Sequence, residues 1–281
     1  MEEQLTSVGL GATFSCEPVG AWLEWWLAAG LGSRVKLRHA SYGALQDELR
    51  APVAFSGAAA CVGLLRLADW QRGAAGFDGV RFEADLALFM DSVRDALGLT
   101  RRLLLILCPA PAGPSAPTRA ALAAATQRLQ ALAAEEPRLS VVSAAEVKRW
   151  YPCRGSPYDS VGDEIGHLPY TDAMCCALAA AAARALLPSL APPLKLVVVD
   201  CDYTLWHHAV GEVGALGVRL APRHLALQKR LLLLRRRGVL ICLCSRNTED
   251  DVWQVERTTG SFALLKTCYP NKPGSDSTFP R

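Results

Sequence analysis

Residues 194–206 read Leu-Lys-Leu-Val-Val-Val-Asp-Cys-Asp-Tyr-Thr-Leu-Trp, an apolar run followed at once by two acidic residues. The run from 194 to 199 has the length and the β-branched content of a buried strand. Because side chains alternate along extended backbone, Asp200 and Asp202 are expected on one side of its carboxyl end, where open α/β sheets bind ligands. Cys201 is expected to point the opposite way, into the core.

The two carboxylates of Asp200 and Asp202 would repel each other if they lay side by side without a counter-charge. A bound Mg²⁺ keeps both groups ionised, since this cation prefers oxygen ligands and leaves room for water and a phosphate oxygen. The pair therefore predicts a Mg²⁺ site at the end of this strand.

A second apolar strand is predicted over 239–244, after a helix over 222–237. Ser245, Arg246 and Asn247 follow it, just before another helix. A hydroxyl and backbone amides at that position can hold a phosphate group. The alternative is that Ser245 or Asn247 only caps the helix. The two strand ends are expected side by side, and this pairing favours phosphate binding.

Toward the amino terminus, short apolar runs alternate with longer helical patterns, which is typical of an α/β domain with a largely parallel sheet. The first helix carries Trp22, Trp25 and Trp26 at spacing i, i+3, i+4, which predicts that they face the core. Strands are predicted over 8–14, 35–38, 60–67, 103–108 and 139–142, and helices over 18–29, 82–98, 116–134 and 172–187.

The segment 188–193 contains three prolines and predicts a linker, because proline neither continues a helix nor donates to a sheet. One α/β domain is therefore expected over 1–190 and a second, partial one over 194–255. Residues 256–281 are polar and rich in turn-forming residues, and a divergent, flexible tail is expected there.

The composition limits the possible classes of protein. A chain of 281 residues with 51% hydrophobic content can bury one or two cores, which excludes a disordered protein. The net charge of +3 is too small and too evenly spread to predict nucleic-acid binding. The start of the chain has no signal-peptide pattern, and no apolar run of membrane-spanning length is legible, so a cytoplasmic protein without membrane contact is expected.

The strand-DxDxT pattern followed by strand-Ser resembles motifs I and II of the haloacid-dehalogenase (HAD) superfamily. The phrase Asp-Cys-Asp-Tyr-Thr-Leu-Trp narrows the resemblance to subfamily IIIC, which contains FkbH-like proteins and magnesium-dependent phosphatases. His207 and His208 depart from the family pattern and are interpreted as solvated residues of a hairpin. Other segments that resemble FkbH-like proteins are Ala12–Pro18, Leu65–Trp70, Gly166–Thr171, the flap segment Gly211–Gly214, and Leu243–Asn247.

The resemblance implies a Mg²⁺-dependent phosphoryl hydrolase or transferase, with an SGNH-like three-layer α/β domain before a partial HAD-like Rossmannoid domain. Asp200 would be the nucleophile that attacks phosphorus, and Asp202 would act as general acid and then base. Both carboxylates would bind Mg²⁺. The residues that would bind the phosphoryl group are Thr204, Ser245, Arg246 and Asn247.

FkbH-like proteins are associated with moving a glyceryl group from a phosphorylated three-carbon donor to an acyl carrier protein. The resemblance therefore implies a phosphorylated small molecule as substrate and an acyl carrier protein as partner. Glyceryl transfer needs a thiol as well as the carboxylates. Cys201 lies between the two aspartates and is a candidate acyl carrier, with a core residue as the alternative.

A HAD-type site also needs a lysine that neutralises the intermediate and a further acidic cluster that completes the metal shell. The family pattern stops after Val255, so a form truncated at the carboxyl end, with little phosphatase activity, is expected from the residue inventory. A catalytically incomplete protein that acts as a binding or regulatory module therefore remains an alternative to the enzyme.

The amino-terminal domain offers a rival active site. Asp163 and His167, followed by an alanine-rich helix, resemble the acid and base near the end of SGNH-type hydrolases, although the spacing is one residue longer than usual. Ser15 occupies the turn that carries the nucleophile in that family, without the glycine-aspartate context. It is therefore either the nucleophile of an esterase or a residue that caps the next helix.

Overall fold

A computed structural model describes residues 5–100, 102–111 and 114–259 of the chain. The chain divides into two compact units, residues 1–192 (unit 1) and 193–281 (unit 2). Most of the tail predicted from residue 256 onward, residues 260–281, lies outside the described residues.

Unit 1 is built on a parallel sheet of five strands in the order β2-β1-β3-β4-β5. All six residues of β3 and all five of β4 are buried, because helices cover both faces of a parallel sheet. The strands are β1 (Thr6–Ala12), β2 (Val35–His39), β3 (Ala60–Leu65), β4 (Leu103–Leu107) and β5 (Leu139–Val142).

The described residues of unit 1 also form seven helices and a 3₁₀ helix over Leu67–Gln71. Side chains that alternate along the strands enter two separate cores. Leu104 and Ile106 pack with α1 and α7 on one face, whereas Leu103 and Leu105 pack with α2, α3 and α4 on the other. The helices are α1 (Glu17–Leu31), α2 (Leu45–Arg50), α3 (Gly79–Leu99), α4 (Ala116–Glu135), α5 (Ala144–Trp150), α6 (Ser160–Gly166) and α7 (Asp172–Leu190).

Helix α7 corrects one sequence-based expectation. It continues through Pro188 to Leu190, so the predicted linker begins later than residue 188. A proline in the last turn removes only one hydrogen bond from the helix. Among the described residues, α7 is also the one helix long and apolar enough to cross a membrane, but 56% of its apolar window is buried within the protein. This degree of burial is typical of a helix that packs in a protein core.

The prediction that the tryptophans of α1 face the core holds only for Trp22, which packs against it, and is wrong for Trp25 and Trp26, which are exposed. Val19, Leu23 and Leu27 form the buried face, and their spacing of four residues places them on one side of the helix. Trp25 lies nearly on the opposite side of the helix and is 56% exposed. Trp22 is half-buried, and its Nε1 donates to Asp172 Oδ1 at 2.9 Å.

The described residues of unit 2, which end at residue 259, form two parallel strands, β6 (Leu196–Val199) and β7 (Leu240–Leu243), and three helices. One face of this small sheet is buried, with Val199 and Ile241 beside Trp206. The other face leaves Val198 59% and Leu240 67% exposed. The helices are α8 (Val210–Gly217), α9 (Pro222–Arg236) and α10 (Glu249–Thr259).

Candidate functional site

The turn after β6 carries the first aspartate of the predicted site. Asp200 is exposed at the end of the strand, and its Oδ1 accepts a hydrogen bond from the amide of Cys201 at 2.8 Å. The chain then turns back, with the amide of Leu205 donating to the carbonyl of Cys201 and Tyr203 in the left-handed region at φ 58°. The turn presents the Asp200 carboxylate to solvent at the carboxyl edge of the sheet.

Asp202 is held more firmly than Asp200. Its Oδ1 accepts three hydrogen bonds: from Trp206 Nε1 at 2.9 Å, from the amide of Val210 at 3.2 Å and from Asn247 Nδ2 at 2.9 Å. Trp206 is fully buried, so its indole fixes the carboxylate against the core. The bond from Asn247 joins the turn after β6 to the turn after β7, as expected for neighbouring parallel strands.

The hydrogen bonds in the turn after β7 show which residue caps α10 and which side chains do not. Thr248 caps α10, since its Oγ1 accepts from the amide of Asp251 at 3.3 Å. Ser245 Oγ instead accepts from the amide of Asn247 at 3.3 Å, within the turn itself. The alternative that Ser245 or Asn247 merely caps this helix is therefore wrong. Both polar side chains remain at the edge that carries Asp200.

Two further predicted phosphate ligands lie in the same turns. Thr204 is half-buried in the turn after β6, and Arg246 is exposed in the turn after β7. Within the described part of the chain, Arg246 forms no ion pair. Gln228 of α9 donates to the carbonyl of Leu205 at 2.8 Å and braces the first turn from behind.

The environment of Cys201 does not favour a role as acyl carrier. Its side chain is fully buried between the two aspartates. The pKa of this thiol is raised to about 11, mainly by burial; a hydrogen bond with Ser245 opposes the shift, and the charges of Asp200 and Asp202 add to it. The nucleophilic form of cysteine is the thiolate, which burial disfavours, and the buried sulfur is not accessible to a substrate.

The donor set of unit 2 fits Mg²⁺ bound together with a phosphate group. Among the residues that the structure describes, no group of three or more His, Cys, Asp or Glu side chains could hold a metal ion. Mg²⁺ is commonly bound through one or two carboxylates, with water and substrate phosphate oxygens completing its shell. Asp200 and Asp202 supply this number of carboxylates, and Asp200 has the exposure that metal access requires.

The segment after the aspartates differs from the predicted hairpin. Gly211–Gly214 forms part of α8, which is kinked at Gly214. His207 is half-buried, forms a bridge with Arg219, and its ring lies 4.2 Å from that of His208. The interpretation of His207 and His208 as solvated residues therefore holds only in part, because both are half-buried.

Unit 1 also has a group of polar residues at the carboxyl edge of its sheet. Among them are residues of the segments Ala12–Pro18, Leu65–Trp70 and Gly166–Thr171, which resemble FkbH-like proteins. Thr13 follows β1, Asp69 lies in the 3₁₀ helix after β3, and His167 follows α6. Thr13 Oγ1 donates to Asp69 Oδ2 at 2.8 Å and accepts from the amide of Arg66 at 3.0 Å. We refer to Thr13, Tyr42, Arg66, Asp69, Asp163 and His167 as the edge cluster.

His167 is held by partners that the sequence did not predict. Its Nε2 lies 3.1 Å from Asp69 Oδ1, and its Nδ1 lies 2.7 Å from the hydroxyl of Tyr42. Asp163 is 4.0 Å from Nε2, and its carboxylate instead pairs with Arg66 at 2.7 Å and with Arg72 at 2.6 Å. The predicted Asp163–His167 acid–base pair is therefore wrong, since Asp69 takes that position.

Ser15 fills neither of its predicted roles. Its hydroxyl donates to the carbonyl of Gly166 at 2.7 Å, and its amide donates to the carbonyl of His167 at 3.0 Å. The hydroxyl is thus engaged with backbone rather than with the imidazole. The cap position of α1 is Cys16, which makes no side-chain capping bond. Ser15 joins the turn after β1 to the end of α6.

Opposite pKa shifts distinguish the two acids of the edge cluster. Burial raises the pKa of Asp69, although the neighbouring Arg66 and the hydrogen bond from Thr13 oppose this effect. Burial also acts on Asp163, but hydrogen bonds from Arg66 and Arg72 outweigh it and lower the pKa of this carboxyl.

Sequence reasoning missed Thr13, Tyr42, Arg66 and Asp69 as site residues. Arg66 and Asp69 lie in Leu65–Trp70, a segment whose resemblance to FkbH-like proteins was visible but carried no chemical role. No sequence signal marks Tyr42. It follows β2, and only the position of β2 beside β1 in the parallel sheet brings its turn close to His167.

No family model and no curated protein matches the chain. A similar solved structure is the N-terminal part of the protein BF1531 from Bacteroides fragilis, described as containing a phosphatase domain complexed with Mg. The TM-score is 0.67 at 15% identity, over 93% of this chain and 74% of that chain. This likeness shows a shared fold, and the predicted α/β class, a three-layer domain followed by a second α/β unit, is confirmed.

Two further solved structures are similar over part of the chain. A family two carbohydrate esterase from Clostridium thermocellum has a TM-score of 0.38 at 10% identity, over 66% of this chain and 64% of that one. The salicylyl-acyltransferase SsfX3 from a tetracycline biosynthetic pathway has a TM-score of 0.39 at 17% identity, over 68% and 55%. Scores at this level support no conclusion about function.

Proposed function

We propose that unit 2 binds a phosphorylated small molecule together with Mg²⁺ and transfers the phosphoryl group to Asp200. The observation that carries this proposal is the 2.9 Å bond from Asn247 Nδ2 to Asp202 Oδ1. It holds the acidic turn after β6 against the polar turn after β7, so that carboxylates and phosphate-binding groups share one edge. A phosphoryl-transfer site needs these groups together.

The geometry supports a division of work between the two aspartates. Asp200 is exposed and has a free approach to phosphorus, which suits a nucleophile. Asp202 is anchored through Oδ1 by three donors, and this leaves Oδ2 as the oxygen that gives a proton to the leaving group and later takes one from water. Mg²⁺, when bound, would neutralise charge on the phosphate and the carboxylates.

The phosphoryl group itself would contact the side chains of both turns. Ser245 and Thr204 offer hydroxyls, and the exposed guanidinium of Arg246 offers paired N–H donors suited to phosphate oxygens. Asn247 is already bound to Asp202, so its role is to position that carboxylate.

The resemblance to FkbH-like proteins supports a narrower substrate class, a phosphorylated three-carbon glyceryl donor with an acyl carrier protein as acceptor. In that reaction a thiol must accept the glyceryl group. Cys201 is fully buried, so its sulfur is not accessible to a glyceryl donor, and burial also raises its pKa to about 11. The thiol is therefore assigned to the carrier protein.

A second candidate function is a module that binds the phosphorylated ligand without turnover. The observation that favours it is that, among the described residues, no third acid joins Asp200 and Asp202 in a metal-binding group. Loss of one charge-stabilising group in an active site costs about 3–4 kcal/mol, or two to three decades in rate.

The test combines a binding and a turnover measurement on the full chain. Mg²⁺ is titrated in the presence of inorganic phosphate while tryptophan fluorescence is followed, with Trp206→Phe identifying the contribution of the indole bound to Asp202. Hydrolysis of p-nitrophenyl phosphate is then measured beside Asp200→Asn and the exposed control Asp91→Asn.

Three outcomes separate the candidates. Turnover that is lost in Asp200→Asn and kept in Asp91→Asn supports phosphoryl transfer. A Mg²⁺-dependent fluorescence change without turnover supports the binding module. No change with Mg²⁺, or an equal change in Asp202→Ala, contradicts both.

A further inference from the structure

The edge cluster of unit 1 contains a hydrogen-bonded chain that phosphoryl transfer in unit 2 does not use. The chain runs from the buried carboxylate of Asp69 through the imidazole of His167 to the hydroxyl of Tyr42, with distances of 3.1 and 2.7 Å. Asp69 and His167 are buried, whereas Tyr42 is 66% exposed. The chain therefore leads from the protein interior to a solvent-facing hydroxyl.

The partners of His167 fix where its proton lies. An ionised carboxylate only accepts hydrogen bonds, so Nε2 carries the hydrogen that is donated to Asp69. Nδ1 is then unprotonated and accepts from the hydroxyl of Tyr42. This arrangement is that of a catalytic triad, in which an acid orients a histidine and the histidine accepts a proton from a hydroxyl.

The surroundings hold this geometry in place. Asp69 also accepts from Thr13 Oγ1 at 2.8 Å and lies 3.3 Å from the guanidinium of Arg66. His167 adopts a left-handed conformation with φ 50°, which is uncommon for residues other than glycine and persists only where neighbours enforce it. Tyr42 lies in a turn closed by a bond from the amide of Ala44 to the carbonyl of Ser41.

We propose that unit 1 has a second catalytic centre that acts on carboxylic esters, with Tyr42 as nucleophile and His167 as general base. Asp69 is a positioning residue that orients the imidazole and stabilises its charged form. This centre is distinct from the rival site expected from the sequence, because Ser15 is bound to Gly166 and the aspartate is Asp69 rather than Asp163.

The reaction proceeds in two balanced steps. In the first, Tyr42 oxygen forms a bond to the ester carbonyl carbon and its proton moves to His167 Nδ1. The bond from that carbon to the alkoxy oxygen breaks, and the alkoxide takes the proton back from Nδ1 and leaves as an alcohol. In the second, His167 takes a proton from water as the water oxygen attacks the tyrosyl ester. The carboxylic acid is released when Tyr42 oxygen regains that proton.

Labelling with phenylmethanesulfonyl fluoride tests the proposal on the full chain. The phenol oxygen displaces fluoride from sulfur, and a base beside the phenol accelerates this step. Tyr203, which is 58% exposed, serves as an internal reference for a tyrosine outside the edge cluster. At neutral pH we expect Tyr42 to be labelled about tenfold or more faster than Tyr203, as measured by peptide mass spectrometry.

Matched variants test whether His167 causes the faster labelling of Tyr42. His167→Asn removes the base while keeping a residue that tolerates the left-handed conformation, and it should reduce Tyr42 labelling to the rate of Tyr203. Hydrolysis of p-nitrophenyl acetate should fall to background in Tyr42→Phe, which deletes only an exposed hydroxyl, and stay unchanged in Ser15→Ala. Equal labelling of Tyr42 and Tyr203, or esterase activity that survives in Tyr42→Phe, would overturn the proposal.

Discussion

At the scale of single residues, Arg66 determines the charge balance of unit 1. Its guanidinium lies 3.3 Å from Asp69 and 2.7 Å from Asp163, and both Arg66 and Asp69 are buried. Ions are costly to remove from water, so the buried carboxylate of Asp69 depends on this arginine to remain charged, whereas Asp163 also pairs with Arg72. The sequence gives no sign of this dependence, because the three residues are up to 97 positions apart.

The first prediction is that Arg66→Met destabilises the protein by about 3–5 kcal/mol, since it leaves the buried carboxylate of Asp69 without its counter-charge. Arg94→Met is the control, because Arg94 forms an exposed ion pair with Asp91 and should cost less than about 1 kcal/mol. Urea unfolding followed by circular dichroism measures both. A loss below about 1 kcal/mol for Arg66→Met would contradict the account of the edge cluster.

The second prediction concerns the pH dependence of stability. Arg66 and Arg72 lower the pKa of Asp163 in the folded state below the ordinary value of 3.8, although burial opposes them. The stabilisation is therefore present above pH 3.8 and is lost as the pH falls from there through the folded-state pKa.

Comparison with Asp163→Asn isolates this contribution from that of Asp69, whose pKa is shifted the other way. The difference in unfolding free energy between wild type and variant should be constant from pH 5 to 7, about one to three units above the ordinary range of the carboxyl, and should shrink below it. A difference that stays constant in acid would show that Asp163 gains nothing from the two arginines.

At the scale of elements, close packing between strands and loops depends on a few glycines. A Cβ on Gly9 in β1 would lie 2.6 Å from Phe55 Cδ1 and 3.0 Å from the carbonyl oxygen of Ala54. Backbone atoms cannot move aside as a side chain can. Gly98 near the end of α3 differs, since a Cβ there would meet nothing within 4 Å.

The third prediction is that these two glycines respond to alanine with opposite signs. Gly9→Ala should destabilise the protein by about 1–3 kcal/mol through overpacking. Gly98→Ala should stabilise it by about 0.5–1 kcal/mol, because alanine lowers the conformational entropy of the unfolded chain and favours helix. Thermal and urea unfolding of the two variants measure these changes in stability. Equal effects would mean that β1 and the loop before β3 are less closely packed than described.

The elements also show how far sequence reasoning reaches. The strands were predictable because buried parallel strands are continuous apolar runs, as in β3 and β4. The face of α1 was not, since tryptophans suggested a core stripe while the smaller Val19, Leu23 and Leu27 form it. In unit 2, the two apolar strands were enough to predict that the turns that follow them lie side by side. The edge cluster could not, because Tyr42 and Asp69 carry no local motif.

At the scale of the whole molecule, the described part of the chain forms two separate sheets, one in each compact unit. Each sheet carries polar side chains at its carboxyl edge, the position at which parallel α/β sheets bind ligands. The residues between the last helix of unit 1 and β6 include Pro192 and Pro193, which are exposed. Such a segment is a favoured place for protease cleavage.

The fourth prediction is that limited proteolysis cuts between Ala191 and Lys195, after the end of α7, and leaves a folded fragment of about 190 residues, the size of a single domain. Unit 1 has its own two cores, so the fragment should retain a cooperative thermal transition. The fragment is identified by mass spectrometry and its melting followed by circular dichroism. A fragment that unfolds once it is released would contradict two independently folding units.

The central claim, that Asp200 accepts a phosphoryl group, is tested most directly by chemical trapping of the phosphorylated enzyme. The full chain is incubated with acetyl phosphate and Mg²⁺, and borohydride is added to reduce any aspartyl phosphate to homoserine. Peptide mass spectrometry then locates the change. The account predicts homoserine at position 200 that requires Mg²⁺ and is absent in Asp200→Asn. No homoserine, or homoserine at another aspartate that persists in Asp200→Asn, would contradict it.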